Sequence, residues 1–322
     1  MRADGFRPFS SILCPVDFSV HSSRALRYAA SLARRSDARL TVLFVNDPLL
    51  VAAAAAAYNE QTLGTVSQEE LTRFVAESLT PAARRGLHLE YSSALGRPAR
   101  TILNAADSGG HDAIVLGTKG LNGARRIFFG STTAEILRRT RVPVLAVPLP
   151  GSREREGSIP RGWPGRRVLT PVALDAYAER DLRRAAEFAS WLKAALTVVH
   201  VVPAPTTPGW FQGDMNGQVR NLSEKAHLAL EALTAAMHIE CSTVVATGYP
   251  PDEIAREAAE RQVGLVVMAL RGSEGLLGAP VGSIAYAVLS HDIAPVLALP
   301  ARGRKRASRR HAAPATAKSG RR

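Results

Sequence analysis

Five residues in this chain have types and spacing suited to holding a phosphate. Gly117, Gly120 and Gly130 are followed by Ser131 and Thr132, a G-x2-G-x9-G-[ST]-[ST] run. Glycine lets a backbone come close to a ligand and adopt positive φ. Gly130-Ser131 opens a helical pattern, and Thr132 to Glu135 has the spacing of a capping box. Backbone N–H groups at a helix start have no intrahelical acceptor and attract anions. Lys119, Arg125 and Arg126 lie in the intervening loop and add positive charge. A second short run, Pro15-Val16-Asp17, directly ends an apolar segment. The chemistry is that of a phosphate cradle beside a pocket for a base and a sugar. Singly, such glycines form turns, a basic loop is solvated and an aspartate after a strand caps a helix; only their meeting at one point of a fold would make a site.

Other chemistry is thin. There is no G-x4-G-K-[ST] run and no strand-linked G-x-G-x-x-G. The histidines show no zinc spacing, and His200, inside a strand-like run, reads as an ordinary core or surface residue. Cys14 and Cys241 each lie in an apolar run, one in each half, and are expected to be buried free thiols. No nucleophile–base–orienter set is visible, so an enzyme reading reduces to a slow ATPase or a phosphotransfer protein.

The elements that must position these residues come twice. Val142-Pro143-Val144-Leu145-Ala146-Val147-Pro148 is echoed by Ala294-Pro295-Val296-Leu297-Ala298-Leu299-Pro300, an offset of 152. The same offset carries Gly96-Arg97-Pro98 onto Gly248-Tyr249-Pro250 and Gly130-Ser131 onto Gly282-Ser283. Near the starts the offset is 156, with Ile12-Leu13-Cys14-Pro15-Val16 matching Val168-Leu169-Thr170-Pro171-Val172. Each half alternates strand and helix patterns. In the first, residues 11–16, 40–45, 87–94, 113–116 and 144–147 read as strands, and 67–85, 98–108 and 132–140 as helices. Leu26, Ala29, Ala30 and Ala33 mark one face of a further helix, and residues 47–66 an excursion containing an alanine-rich stretch. Five strands alternating with helices predict an α/β fold: two tandem doubly wound five-stranded parallel sheets, Rossmann-like, of order 3-2-1-4-5. Ligands sit outside the carboxyl ends of such strands where the order reverses. Here that point lies between strands one and four, beside Asp17 and Gly117.

The expected division is a first domain over residues 1–149, a Gly/Pro/Arg-rich linker over 150–165, a second domain over 166–300 and a basic tail over 301–322. Of the net charge of +13, the tail carries nine positive charges and no acid, leaving +4 for residues 1–300. It has almost nothing apolar to pack, which predicts disorder and an accessory attraction to nucleic acid or other polyanions. It lacks the interleaved aromatics that stack bases. No apolar run approaches the ~20 residues that span a bilayer, and the first ten residues lack a signal-peptide core. A cytoplasmic location is expected.

The run Gly117-Thr118-Lys119-Gly120 to Gly130-Ser131-Thr132, with Pro15-Val16-Asp17 and Val45-Asn46-Asp47, resembles the universal stress protein family. The resemblance covers both halves, and the glycine spacing is that of the family's ATP-binding branch. It implies an adenine nucleotide alpha hydrolase-like fold and ATP, with or without Mg2+, as the ligand. It places Asp17 and the Val45 backbone toward adenine and ribose, and Pro15 and Val16 in the base pocket. Leu116, Gly117 and Gly120 would support ribose and phosphates, and Gly130, Ser131 and Thr132 would bind phosphates. It further implies a stress-response protein that signals its nucleotide state to a protein partner. Single-domain members pair through the last strand, so the halves are expected to form an intramolecular pseudo-dimer; a homodimer of the whole chain is a further option.

The second half departs from this pattern. Ala173 stands for Asp17, Ala269 for Gly117, and Leu277 and Gly278 for Arg125 and Arg126. Gly272, Gly282 and Ser283 remain, while Glu274 and Pro280 enter the loop. One nucleotide per chain is therefore expected, in the first half.

Overall fold

The computed structural model describes residues 6, 8–46, 48, 60–118, 130–148, 163–204, 215–271 and 283–301. The first half runs β1 (Ser11–Val16), α1 (Val20–Ser36), β2 (Arg39–Asn46), α2 (Glu60–Ser78), α3 (Pro81–Arg84), β3 (His88–Leu95), α4 (Pro98–Ser108), β4 (Ala113–Gly117), α5 (Ser131–Arg139) and β5 (Val144–Val147). The second runs β6 (Arg167–Pro171), α6 (Ala178–Leu192), β7 (Ala195–Pro203), α7 (Met215–Ala236), β8 (Ser242–Gly248), α8 (Pro250–Glu260), β9 (Leu265–Leu270), α9 (Ser283–Ser290) and β10 (Val296–Pro300). The central strands are buried almost without interruption, as strands covered on both faces must be.

Each half keeps the order 3-2-1-4-5, yet the two sheets are one. The ten strands run β3-β2-β1-β4-β5-β10-β9-β6-β7-β8. All neighbours are parallel except β5 and β10, which pair antiparallel. The reason lies in β5: its four residues, Val144 to Val147, are at most 1 % exposed, and an open apolar edge of that kind needs a cover. Leu145 faces Leu297, its own counterpart at offset 152, and Val144 and Ala146 face Ala298 and Val296. A pseudo-twofold axis therefore passes through the Leu145–Leu297 pair.

The segments leading into β1 and β6 reinforce this seam by crossing over it. Phe9 packs on Phe188 and Trp191 of α6, with ring centroids 5.7 and 6.3 Å apart. Phe6 meets Phe188 edge-on at 5.6 Å. Reciprocally, Trp163 lies against Tyr28 of α1 at 4.8 Å and donates its indole N–H to the Gly264 carbonyl at 2.8 Å. Each half's first helix is thus covered by the other half's leading segment.

Two expectations about the elements are corrected. The helix expected over 67–85 spans Glu60–Ser78 and then breaks. Pro81 has no N–H to continue a helix; it opens the short α3, capped by Thr80 accepting from the Ala83 N–H at 3.2 Å. Of the cysteines, Cys14 is buried, but Cys241 precedes β8 and is only half-buried. Burial pushes both thiols up, away from the reactive thiolate, Cys14 most strongly. The alanine-rich stretch 51–57, the interdomain stretch 149–162 and the tail 302–322 lie outside the described residues.

Candidate functional site

Parallel strands bring the first half's candidate residues to one edge. Val16, Val45 and Leu116 end or nearly end β1, β2 and β4, and the register sets Val16 beside Phe44. β1 and β4 are neighbours through Ile12–Ala113 and Leu13–Ile114. The chain leaves β1 into α1, at the point where the strand order reverses and where sheets of this kind have their ligand crevice.

Asp17 stands at the mouth of this crevice. Its Oδ1 accepts from the Ser19 N–H at 3.2 Å and from the Ser19 hydroxyl at 2.6 Å. Its own N–H donates to Ser22 Oγ at 3.3 Å. Ser19 in turn caps α1 by accepting from the Ser22 N–H at 3.2 Å. A short side chain that bonds backbone two residues on makes an Asx turn, so the carboxylate is fixed before any ligand arrives. Val16 is buried and Pro15 half-buried beside it.

Gly117 has a steric reason to be glycine. A Cβ there would lie 3.0 Å from the carbonyl carbon, oxygen and Cβ of His21. Only a bare backbone lets the first turn of α1 close down on the end of β4. Gly130 differs. Its φ of −59° and ψ of 131° suit any L-residue. Among the described residues, a Cβ there would meet nothing nearer than the Thr118 carbonyl at 3.8 Å.

Helix α5 begins at Ser131, with Gly130 as its N-cap and no side-chain cap hydrogen bond. The capping-box expectation for Thr132 and Glu135 is therefore overturned. Gly130 takes the cap two residues before Thr132, and Glu135 pairs with Arg139 at 2.8 Å instead. Leaving the first turn without a side-chain acceptor is what an anion site at a helix start requires. Ser131 is exposed and Thr132 half-exposed at this turn. Lys119, Gly120, Arg125 and Arg126 lie outside the described residues.

Two residues that sequence reasoning did not single out tie the site together. Thr133 donates its hydroxyl to the Gly117 carbonyl at 3.0 Å, pinning α5 to β4. Thr118 donates its N–H to the Val147 carbonyl at 3.1 Å and accepts from the Gly130 N–H at 3.1 Å. Its hydroxyl is fully buried and has no hydrogen-bond partner among the described residues. A buried hydroxyl without a partner costs about 1–3 kcal/mol, and the counterpart Leu270 has none to satisfy. That polar-for-apolar contrast between the halves is the signal in the sequence that could have found Thr118.

The corresponding point of the second half is built otherwise. His200, expected as an ordinary strand residue, donates Nδ1–H to the Val172 carbonyl at 2.8 Å. Arg271, directly after β9, pairs with Asp175 and Asp181. Among the described residues no group of acidic, histidine or cysteine side chains could hold a metal ion, and no helix is long and apolar enough to cross a membrane.

Comparison with known proteins gives these features a context. The model of the universal stress protein family matches residues 8–148 and again residues 165–300. A universal stress protein of Mycolicibacterium smegmatis is 26 % identical over 297 residues, covering 89 % of this chain and 95 % of its own length. A shorter one from Thermus aquaticus is 32 % identical over 139 residues, 43 % of this chain and 98 % of its own. A universal stress protein structure from Archaeoglobus fulgidus superposes with a TM-score of 0.60 at 20 % identity, covering 90 % of this chain and 96 % of that one. At that identity the last likeness speaks for the fold.

Proposed function

Because the chain belongs to the universal stress protein family, in tandem form, we propose that it is a nucleotide-binding stress-response protein that holds one ATP, in its first half. The observation that carries this reading is the start of α5. A helix of nine residues opens at Ser131 without a side-chain cap, next to a glycine whose Cβ position meets no described atom nearer than 3.8 Å. Backbone N–H groups and the helix dipole there favour a phosphate. The pre-oriented Asp17 carboxylate, an acceptor only, suits the hydroxyls of a ribose or the amino group of a base. Val16, Val45 and Leu116 supply apolar wall.

What supports ATP at the phosphate end is the uncapped start of α5 beside Gly130. Mg2+ has no carboxylate cluster of its own among the described residues, so it would enter on the phosphates. Within this reading the chain binds and orients. Gly117 holds α1 against β4, Thr133 fixes α5 to the same strand, and a change in the segment between Gly117 and Gly130 carries the nucleotide state to a protein partner. Isothermal calorimetry with ATP tests the reading, together with the nucleotide content of the purified protein. One ATP per chain is expected; no binding, or two equivalent sites, would overturn it.

A further inference from the structure

The second half has lost the glycine that lets helix and strand close together, and the consequences are visible. Ala269 is the penultimate residue of β9, where Gly117 ends β4. Its methyl falls where, in the first half, a Cβ would strike the His21 backbone. α1 begins at Val20, whose counterpart at offset 156 is Ala176, yet α6 begins at Ala178. The Asx bond has moved by the same two residues: Asp17 accepts from Ser19, whereas Asp175 accepts from the Tyr177 N–H at 2.9 Å. The first turn of the helix has opened.

Side chains of the chain itself occupy that opening. Arg271 stands one residue beyond β9, at the position of Lys119 in the first half. Its Nη1 donates to Asp175 Oδ2 and its Nη2 to Asp181 Oδ2. The guanidinium lies 5.1 Å from the Tyr177 ring centroid, and Arg180 covers the same ring at 4.9 Å. Arg180 also donates to Asp181 Oδ1 at 3.0 Å. The Asp181 side chain is only 7 % exposed, and an isolated carboxylate that deep would be costly. Two guanidinium groups, one on each oxygen, compensate it. The planar fork of arginine suits bridging two carboxylates, which a lysine's point charge does not. Burial alone would raise the Asp175 carboxyl, but Arg271 and the Tyr177 N–H outweigh it and hold it low.

We propose that Arg271 is an internal ligand of the second half: it clasps the exit of β9 to the start of α6 through Asp175 and Asp181, and so keeps that switch point closed to a nucleotide. The clasp stands on its own contacts; the exclusion rests on the nucleotide reading of the first half. A polyphosphate approaching here would meet two carboxylates whose charge Arg271 and Arg180 already neutralise.

Hydrogen exchange on the full chain tests both parts. Arg271→Ala should speed exchange of the amides of residues 175–182 by about tenfold, while residues 17–26 stay unchanged as an internal control. Asp181→Asn should act on the same segment, the double variant should add little, and Arg271→Lys should fall between wild type and Arg271→Ala. Unchanged exchange at 175–182 in both single variants would overturn the clasp. Added ATP should slow exchange at 17–26 only. Slowing at 175–182 in the wild type would overturn the closure. If ATP slows neither segment while Arg271→Ala still loosens 175–182, the nucleotide reading of the first half fails and the clasp holds.

Discussion

Position 117 is glycine and its counterpart 269 is alanine, one of several differences, with Asp17 against Ala173, Thr118 against Leu270 and Lys119 against Arg271, between two halves of the same strand order. In the first half, α1 reaches the end of β4, Asp17 is held by Ser19, and α5 starts bare. In the second, α6 starts two residues late and an arginine spans the gap. In the first half the buried Thr118 hydroxyl has no partner among the described residues; in the second, Arg271 pairs with Asp175 and Asp181. A fold can therefore keep its strand order while exchanging the polar contacts at one edge of its sheet.

The comparison breaks most directly at the glycine. Gly117→Val should push α1 off β4, since even a Cβ would stand 3.0 Å from His21. A thermal melt should show a loss of about 1–3 kcal/mol, the usual cost of overpacking, and calorimetry should show no ATP binding. The reverse change, Ala269→Gly, should give no second ATP site, because Arg271 and the two aspartates remain.

A smaller effect is expected at the start of α5. Gly130→Val should fold, given its ordinary backbone angles, and weaken ATP binding by about tenfold, the loss of one charge-assisted contact. Gly282→Val, its counterpart, should leave ATP affinity unchanged. Equal losses from the two variants would show that the second half contributes to the site.

The opposite edge of the sheet sharpens the comparison by pH. His111 is buried and bonds through Nδ1 to Ser11 Oγ at 2.9 Å. Burial first and Arg39 second hold its pKa below the usual imidazole value, against smaller opposing pulls from Asp112 and Glu90. The folded protein resists a proton that the unfolded chain accepts near pH 6.5. Stability is therefore full above that pH and declines as pH falls through about 6.5 and below. The counterpart is Val263, so hydrogen exchange at mildly acid pH should rise around β1 and β4 before β6 and β9. His111→Gln should flatten that part of the pH profile; an unaltered profile would assign the decline to other groups.

The smallest effect concerns the tail. β10 ends at Pro300, so a chain stopping at Ala301 should keep its melting temperature and ATP affinity. Any retention on DNA at low salt should disappear with the nine charges, since such attraction is screened over ~10 Å at 0.1 M salt.

Much of the fold was legible because it rests on periodicity. Apolar runs of four to eight residues and the face Leu26, Ala29, Ala30, Ala33 fall on β1, β2, β4, β5 and α1. The antiparallel β5–β10 pair follows from two apolar terminal strands. What the sequence hid was local. A capping-box spacing at Thr132 did not reveal that Gly130 takes the cap. A basic residue after β9 did not reveal that its partners are Asp175 and Asp181, 96 and 90 residues away in the chain. Contacts of that kind depend on where helices start, and α1 and α6 start two residues apart in register.

The pairing of Leu145 with its own counterpart Leu297 carries a consequence for how this molecule can change. In a symmetric dimer of identical subunits, any substitution appears twice, once on each side of the axis. Here the axis relates different residues, so a substitution appears once. Phe188 and Trp191 can meet Phe9 on one side while Tyr28 meets Trp163 on the other. A covalent link also makes the pairing independent of concentration. The chain keeps the architecture of a dimer while each half accumulates changes the other need not share.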